Sequence, residues 1–497
     1  MAVVRLLRLC LLLLWQTHQS VQISEHPLLL LVSLDGLRYD IVNKTSMPNL
    51  WRVAEEGVRF SKGIIPQCTT VTMPNHYSII SGLYEESHGI IGNEFYDPDI
   101  KDFYDYWKFS GNETRANNSK LSKWYPQEAT TVWLANQLAA NTRHSGSMYW
   151  PGADIQLRGI SPYRYESWKI FGNLTTWKKD VDALLKWFTN EKRPINMAML
   201  YVGQPDEALH DYGEFSREFR GNLTELDALV GYMRDEFTRL RLWDKTNMIF
   251  TSDHGHIQVK WPEHEYDWGV IEDFVNLTQL IQSDFTFFPA SDKVNMTDIY
   301  NKLNHSGLPF HVYWKKDFPD KYHYAKNKRI GDIVVVKKSP YKVSVRRNLN
   351  GTKILSDHGF LPEVDQMRSS LILHGPAFQK RLVIDDQTVE NIDLFPLMVH
   401  ILGLNPVPSN GSLSRIEAVL AKQKLLSGTN KTVVVVIVLA IGLPAVALLC
   451  YLAVCVMTRQ GDPRMPRNAG YRPVSTAQLL ELDRANSNHR QESSDEF

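Results

Sequence analysis

Three short runs constrain this chain more than anything else in it. Leu28 to Leu34, Asn196 to Val202 and Asn247 to Ser252 are largely apolar over strand length, and each runs into an aspartate: Asp35, Asp206 (a few residues on) and Asp253. A strand that is apolar on both faces is covered by helices on both sides. The runs therefore predict an α/β domain built on a mostly parallel sheet sandwiched by helices. Such sheets bind ligands at the carboxyl ends of their strands. One acidic residue after a strand is ordinary turn chemistry. Three at one edge, two of them accompanied by histidine, read as a site.

The neighbours of these aspartates extend the set. Asp206 and His210 are four apart, which places them on one face of a helix that begins there. Asp253-His254-Gly255 presents adjacent donors in a tight loop, Asp357-His358-Gly359 repeats the pattern about a hundred residues on, and Asp35-Gly36 opens it. Oxygen and imidazole donors without thiolate suit a borderline metal such as Zn²⁺. Three aspartates, three histidines and one threonine oxygen are too many for one tetrahedral ion and suit two.

The threonine is Thr72. Thr70 to Tyr77 reads as a helix start, with Thr72 as N-cap and Pro74 in the first turn, where its missing N–H costs nothing. A hydroxyl there faces unpaired N–H groups and the positive end of the helix dipole, a favourable place for phosphate. The charges balance as well. Two Zn²⁺ against Asp35, Asp206, Asp253 and a Thr72 alkoxide sum to zero, so an anionic phosphate can approach. His76 and His88 read as structural, His256 is given no ligand role, and Tyr104 to Trp107 read as surface or insert packing, with an aromatic substrate wall as the alternative.

The ends of the chain carry addresses. Arg5 and Arg8 precede the apolar run Leu11 to Trp15, so residues 1–22 read as a secretory signal peptide. Residues 432–457 are long and apolar enough to cross a bilayer core of about 30 Å, and Arg459, Arg464 and Arg467 follow, which places the tail, 458–497, in the cytosol. The expected order is a domain over 23–411, a stalk over 412–431, one transmembrane helix and a short tail: a single-pass type I protein of the cell membrane with its large part outside. N-x-S/T triplets, from Asn43 to Asn430, are confined to that outside part. A net charge of zero and the absence of long basic runs argue against a nucleic-acid polymer as partner. Cys68 is the one cysteine of the outside domain and is expected to be buried and unpaired. Phe285 to Lys338 fits either an α+β insert or a continuation of the sheet.

These motifs, in this order, resemble the ectonucleotide pyrophosphatase/phosphodiesterase family of the alkaline phosphatase superfamily. The likeness runs from about Leu28 to about Leu404. It is carried by Val32 to Arg38, the Thr-x-Pro-Asn-His-Tyr run, Gly82 to Ile90, Asn93 with Tyr96-Asp97-Pro98, Trp150-Pro151-Gly152, Pro205-Asp206 with His210, Thr251 to Gly255, Asp357 to Gly359, and His374 to Phe378. The resemblance implies an alkaline-phosphatase-like fold and two Zn²⁺, one held by Asp206, His210 and His358, the other by Asp35, Asp253, His254 and the Thr72 oxygen. It implies in-line attack by Thr72 on phosphorus, a phospho-threonine intermediate, and Asn93 together with a backbone N–H on the phosphate oxygens. A nucleotide substrate would stack its base between Tyr165 and Met73 and leave as a nucleoside 5′-monophosphate. The chain departs from the family pattern at Val71 (usually Lys), Met73 (usually an aromatic), Leu209 (usually Gly) and Glu214 (often Pro). Two other readings of the same scaffold are a lipid or choline-ester phosphodiesterase and a surface glycoprotein without activity.

Overall fold

The computed structural model describes residues 22–109, 121–169, 172–259, 270–346 and 355–422. The expected signal peptide, the 432–457 span and the tail lie outside these residues. Among the described residues no helix is long and apolar enough to cross a membrane.

The principal sheet has eight strands: β1 (Leu28–Leu34), β2 (Val58–Phe60), β3 (Ser145–Met148), β4 (Arg164–Glu166), β5 (Met197–Val202), β6 (Thr246–Thr251), β7 (Leu371–His374) and β8 (Leu382–Ile384). They lie in the order β8-β2-β7-β6-β1-β5-β3-β4. β1 pairs in parallel with both β5 and β6, Leu30 against Ala198 and Met248. Only β7 runs against the others. The three apolar runs are thus adjacent central strands, and their carboxyl ends meet at one edge.

Alternation along these strands feeds two cores. Leu29, Leu31, Met197, Met199 and Ile249 pack with α2 (Thr72–Ser81), α3 (Val132–Ala139) and α7 (Leu394–Ile401). Leu28, Leu30, Val32, Ala198, Leu200 and Phe250 pack with α1 (Pro48–Glu56), α4 (Leu174–Phe188) and α6 (Arg217–Arg239). Each strand buries both faces, which is why the runs lack the half-polar alternation of a sheet with one wet side. Cys68 is buried and free, as expected.

Phe285 to Lys338 belongs to an insert. Leu280–Ser283, Thr286–Pro289, Phe310–Trp314 and Ile333–Lys337 form a separate antiparallel sheet, and the helix Met296–Asn304 packs on it through Ile299 and Leu303. The expected stalk does not begin at 412. Ser412 to Leu420 folds onto the domain because Ile416 and Val419 find apolar cover and Arg415 pairs with Asp393 and Glu390.

Candidate active site and metal centre

Backbone hydrogen bonds lock the three aspartate loops together. Asp35 N–H donates to the Val202 carbonyl and Asp206 N–H to the Asp35 carbonyl, each at 3.0 Å. Gly36 N–H donates to Asp253 Oδ1 at 3.1 Å. Gly36 has φ +70°, and a β-carbon there would stand 2.9 Å from the His256 ring and 3.0 Å from Asp206 Cβ. Only glycine lets the loops close this far.

Around Asp206 the donors are imidazoles. The short helix α5 (Asp206–Tyr212) sets His210 one turn on, with Nε2 3.5 Å from Asp206 Oδ1. His358 Nε2 lies 3.6 Å from the same oxygen, and His256 Nε2 2.5 Å from it. His358 arrives through a two-residue ladder in which Ser356 and Asp357 pair with Gln258 and Ile257. His210 Nδ1–H donates to the Ser356 carbonyl at 2.9 Å and His358 Nδ1–H to the Thr70 carbonyl at 2.8 Å. A carbonyl only accepts, so in both rings Nδ1 carries a proton and Nε2 is the atom turned toward Asp206.

Around Asp35 the donors are mainly carboxylates. His254 Nε2 stands 3.0 Å from Asp253 Oδ2 and 3.8 Å from Asp35 Oδ1, with Nδ1–H on the Gly255 carbonyl at 3.1 Å. Tyr201 donates its hydroxyl to Asp35 Oδ2 at 2.6 Å. Asp35 Oδ1, Asp253 Oδ2 and His254 Nε2 are buried without a hydrogen-bond partner. Burial, then the Asp253 and Asp206 carboxylates, push the Asp35 carboxyl well above its ordinary range. Burial opposes ionisation of Asp206 as well, yet His210 and His256 hold that group well below. Three orphaned buried atoms converging at one point are what a cation would satisfy. Among the described residues two buried groups could hold metal, Asp206 with His254, His256 and His358, and Asp35 with Asp253 and His254.

Thr72 lies at the first turn of α2, though not as its cap. Val71 occupies the N-cap position in an extended conformation with no side-chain cap bond, and Thr72 is the first helical residue. His76 ties this turn to β1: Nδ1–H donates to the Thr72 carbonyl at 2.9 Å, and Nε2 accepts from Ser33 Oγ at 2.8 Å. That confirms a structural part for His76. His88 is likewise held, with Nε2 on Ser78 Oγ and Nδ1 accepting from Ile90 N–H. Asn93 Oδ1 accepts from Met73 N–H at 2.8 Å, which leaves the Asn93 amide NH₂ as the donating end. Pro74 has no N–H and that of Asn75 goes to the Val71 carbonyl, so the N–H left in this turn for a phosphate is Thr72's own.

The family model for type I phosphodiesterase / nucleotide pyrophosphatase matches residues 29–367, a span that holds Asp35, Thr72, Asp206, Asp253 and His358. The chain belongs to this family. Among the relatives of this phosphodiesterase, human bis(5′-adenosyl)-triphosphatase ENPP4 is 32% identical over 469 residues, 93% of this chain and 94% of that protein. Human ectonucleotide pyrophosphatase/phosphodiesterase family member 5 is 30% identical over 420 residues, 84% and 83% of the two chains. The structure of murine member 5, an inactive threonine-to-alanine variant in complex with AMP, superposes with a TM-score of 0.71 at 28% identity, covering 80% of this chain and all of that one.

The phosphodiesterase has a cavity of about 560 Å³ beside Asn93 and His358. One wall comes from the insert and the segment after it, with Lys337, Lys342 and Arg346; Phe103 and Trp107 stand at another, about half exposed. Lys337 Nζ reaches Asp357 Oδ2 at 2.7 Å and the His358 carbonyl at 2.6 Å, and Lys342 Nζ reaches the same Asp357 oxygen at 3.1 Å. Burial opposes ionisation of Asp357, but these two lysines hold it well below the carboxylate range. Tyr104 and Tyr106 are core, so only part of the aromatic cluster is packing. Met73 is fully buried among core side chains and offers no open face to a base, because its position in α2 points into the core rather than toward the cavity. Tyr165 lies half-buried on the edge strand β4 and is not among the cavity-lining residues. Leu209 packs in the core while His210 keeps its contacts. Sequence reasoning missed Lys337, Lys342 and the contact of His256 with Asp206. The -His254-Gly-His256- spacing was the available signal for the last.

Proposed function

We propose that this phosphodiesterase is a two-zinc ectoenzyme that hydrolyses phosphodiester or phosphoanhydride bonds of nucleotides, such as dinucleoside polyphosphates, and releases nucleoside 5′-monophosphate through a phospho-threonine at Thr72. The observation that carries it is the convergence of Asp35, Asp206 and Asp253 at one sheet edge, with orphaned buried donors, in a member of this family. The names of the relatives, one a bis(5′-adenosyl)-triphosphatase and one seen with AMP, support a nucleotide substrate.

Zinc, when bound, supplies Lewis acidity toward the phosphoryl oxygens and the threonine hydroxyl. The chain's own residues do the rest. Thr72 Oγ attacks phosphorus in line, at the positive end of a ten-residue helix. Thr72 N–H and the Asn93 amide donate to the non-bridging oxygens, whose charge grows as the bond forms. An anionic leaving group passes into the cavity toward Lys342 and Arg346. Tyr165 flanks the base of the nucleotide retained on Thr72, and water then releases the monophosphate. Residues 432–457 hold the catalytic domain on the outer face of the cell membrane.

The test is a product screen with the full chain in detergent, against a dinucleoside triphosphate, p-nitrophenyl-thymidine monophosphate, p-nitrophenyl phosphate and choline phosphate esters. Nucleoside 5′-monophosphate is the expected first product, and the aryl diester is cleaved much faster than the monoester. Orthophosphate released first would overturn this, and turnover of choline esters alone would replace it with the lipid reading.

A further inference from the structure

We propose that His256 is a positioning residue that donates Nε2–H to the metal-binding oxygen of Asp206 and is not itself a ligand. The assignment rests on the metal reading above and on two geometric observations. The first is spacing. Donor atoms sharing one tetrahedral zinc at bonds of about 2.0–2.2 Å lie about 3.3–3.6 Å apart. His210 Nε2 and His358 Nε2 stand 3.5 and 3.6 Å from Asp206 Oδ1, which is the spacing of atoms on one ion. His256 Nε2 stands at 2.5 Å, at the short limit of hydrogen bonding and too short for two donors on one metal. A proton belongs between them.

The second observation is what lies behind each ring. His210, His254 and His358 all place Nδ1 on a carbonyl oxygen, which can only accept; their Nε2 atoms are therefore bare and free to bind metal. His256 Nδ1 faces a hydroxyl instead, Ser356 Oγ at 3.1 Å. A hydroxyl can donate or accept, so this contact, unlike the carbonyls behind the other three rings, does not force the proton onto Nδ1 and leaves it available to Nε2. The Ser356 hydroxyl has one hydrogen and also lies 3.0 Å from the Ile257 carbonyl, so the ring's protonation is set at its other nitrogen, where the approach to Asp206 Oδ1 requires a proton on Nε2. The ring is 1% exposed. Its carbonyl accepts from Arg38 Nη1 at 2.6 Å, and the same guanidinium is held by Glu214. The ring edge packs over Gly36 with no room for a β-carbon. Held this way, His256 fixes which lone pair of Asp206 is left for the ion. Outer partners of this kind change metal affinity about 10–100-fold when lost.

The experiment uses the full-length protein, stripped and reloaded with cobalt, and compares wild type with His256→Leu, His256→Gln and Ser356→Ala. Readouts are chelator competition, the visible cobalt spectrum and the imidazole count by X-ray absorption. His256→Leu should weaken one of the bound ions by about 10–100-fold and alter the spectrum while the imidazole count stays the same. His256→Gln, whose amide N–H reaches the same oxygen, should restore most of that affinity. Ser356→Ala removes the hydroxyl that holds Nδ1 in place and should act in the same direction with a smaller effect; it carries the test if the leucine variant does not fold. Loss of one imidazole from the count in His256→Leu would make His256 a ligand and overturn the assignment, as would wild-type affinity in that variant. A wild-type chain that takes up no cobalt would sink the metal reading itself.

Discussion

The sheet edge and the cavity wall beside it are built on opposite plans. At the edge, Asp35, Asp206, Asp253 and His254 are buried, tied loop to loop by backbone hydrogen bonds, and short of partners for three polar atoms. On the wall, Lys342, Arg346, Phe103 and Trp107 reach solvent, and the lysines already have a partner in Asp357. A dry, pre-oriented edge suits the bond-making step, since fixed dipoles there need no rearrangement as charge develops. An open wall suits selection among leaving groups. The difference teaches that one mutation series can separate the two: edge changes should appear in kcat and metal content, wall changes in KM for one class of substrate.

Asp253→Asn should give the largest effect. It leaves Gly36 N–H an oxygen to bond but removes the charge facing His254 and the Asp35 cluster. Metal stabilisation of a phosphoryl transition state contributes several kcal/mol, on the order of 10³-fold in rate. Turnover should fall by about that much and one metal equivalent should be lost, measured by elemental analysis with steady-state kinetics. Full metal content with normal turnover would erase the distinction between edge and wall.

Asn93→Ala stands at the border. It removes the NH₂ donor and also frees Met73 N–H. Loss of one oxyanion donor costs about 10²–10³-fold in kcat, with KM and metal content nearly unchanged. A change in KM alone would move Asn93 to the wall.

Lys342→Ala should spare p-nitrophenyl-thymidine monophosphate, whose leaving group carries no phosphate. KM for a dinucleoside triphosphate should rise by about tenfold, the equivalent of one charge-assisted hydrogen bond of ~1.5 kcal/mol. Equal losses on both substrates would mean that Lys342 acts through Asp357 and His358 rather than on the leaving group.

The smallest effect concerns stability. Asp284 lies on the cavity wall, and burial, opposed by Lys337, pushes its carboxyl up to about 7. Between about pH 4 and 7 the folded protein keeps a proton there that the unfolded chain has released. Its stabilising contribution is full below about pH 4 and is lost as pH rises through about 7. Asp284→Asn removes that dependence, so the variant's melting temperature relative to wild type should climb from about pH 5 to about pH 8. A constant difference would mean that Asp284 is ionised throughout.

What the sequence revealed follows distance along the chain. The three strands were legible because burial on both faces writes a continuous apolar run, and Asp206 with His210 because a helix turn brings i and i+4 together. Pro74 marked the start of α2, but the cap fell to Val71, so the Thr72 hydroxyl is not engaged in capping. Nothing local told whether the insert continues the sheet, so the lysines it brings to Asp357 were invisible. His256 is backed by Ser356, a hundred residues away. Met73 looked available because it adjoins Thr72; one helical step turns it into the core instead. The stalk began too early because Ile416 and Val419 are sparse apolar residues whose cover comes from elsewhere in the fold.

The two-residue ladder between Ile257–Gln258 and Ser356–Asp357 has a consequence for how the protein is made. Asp35, Thr72, Asp206 and Asp253 are all synthesised early, but His358 can join them only after the intervening insert has emerged and the ladder has closed. Contacts that far apart in sequence form late, because the chain must first give up the freedom of the long loop between them. A nascent chain halted between Asp253 and Ser356 therefore carries Thr72 and the three aspartates but not His358. The site is therefore completed only after most of its domain has been made.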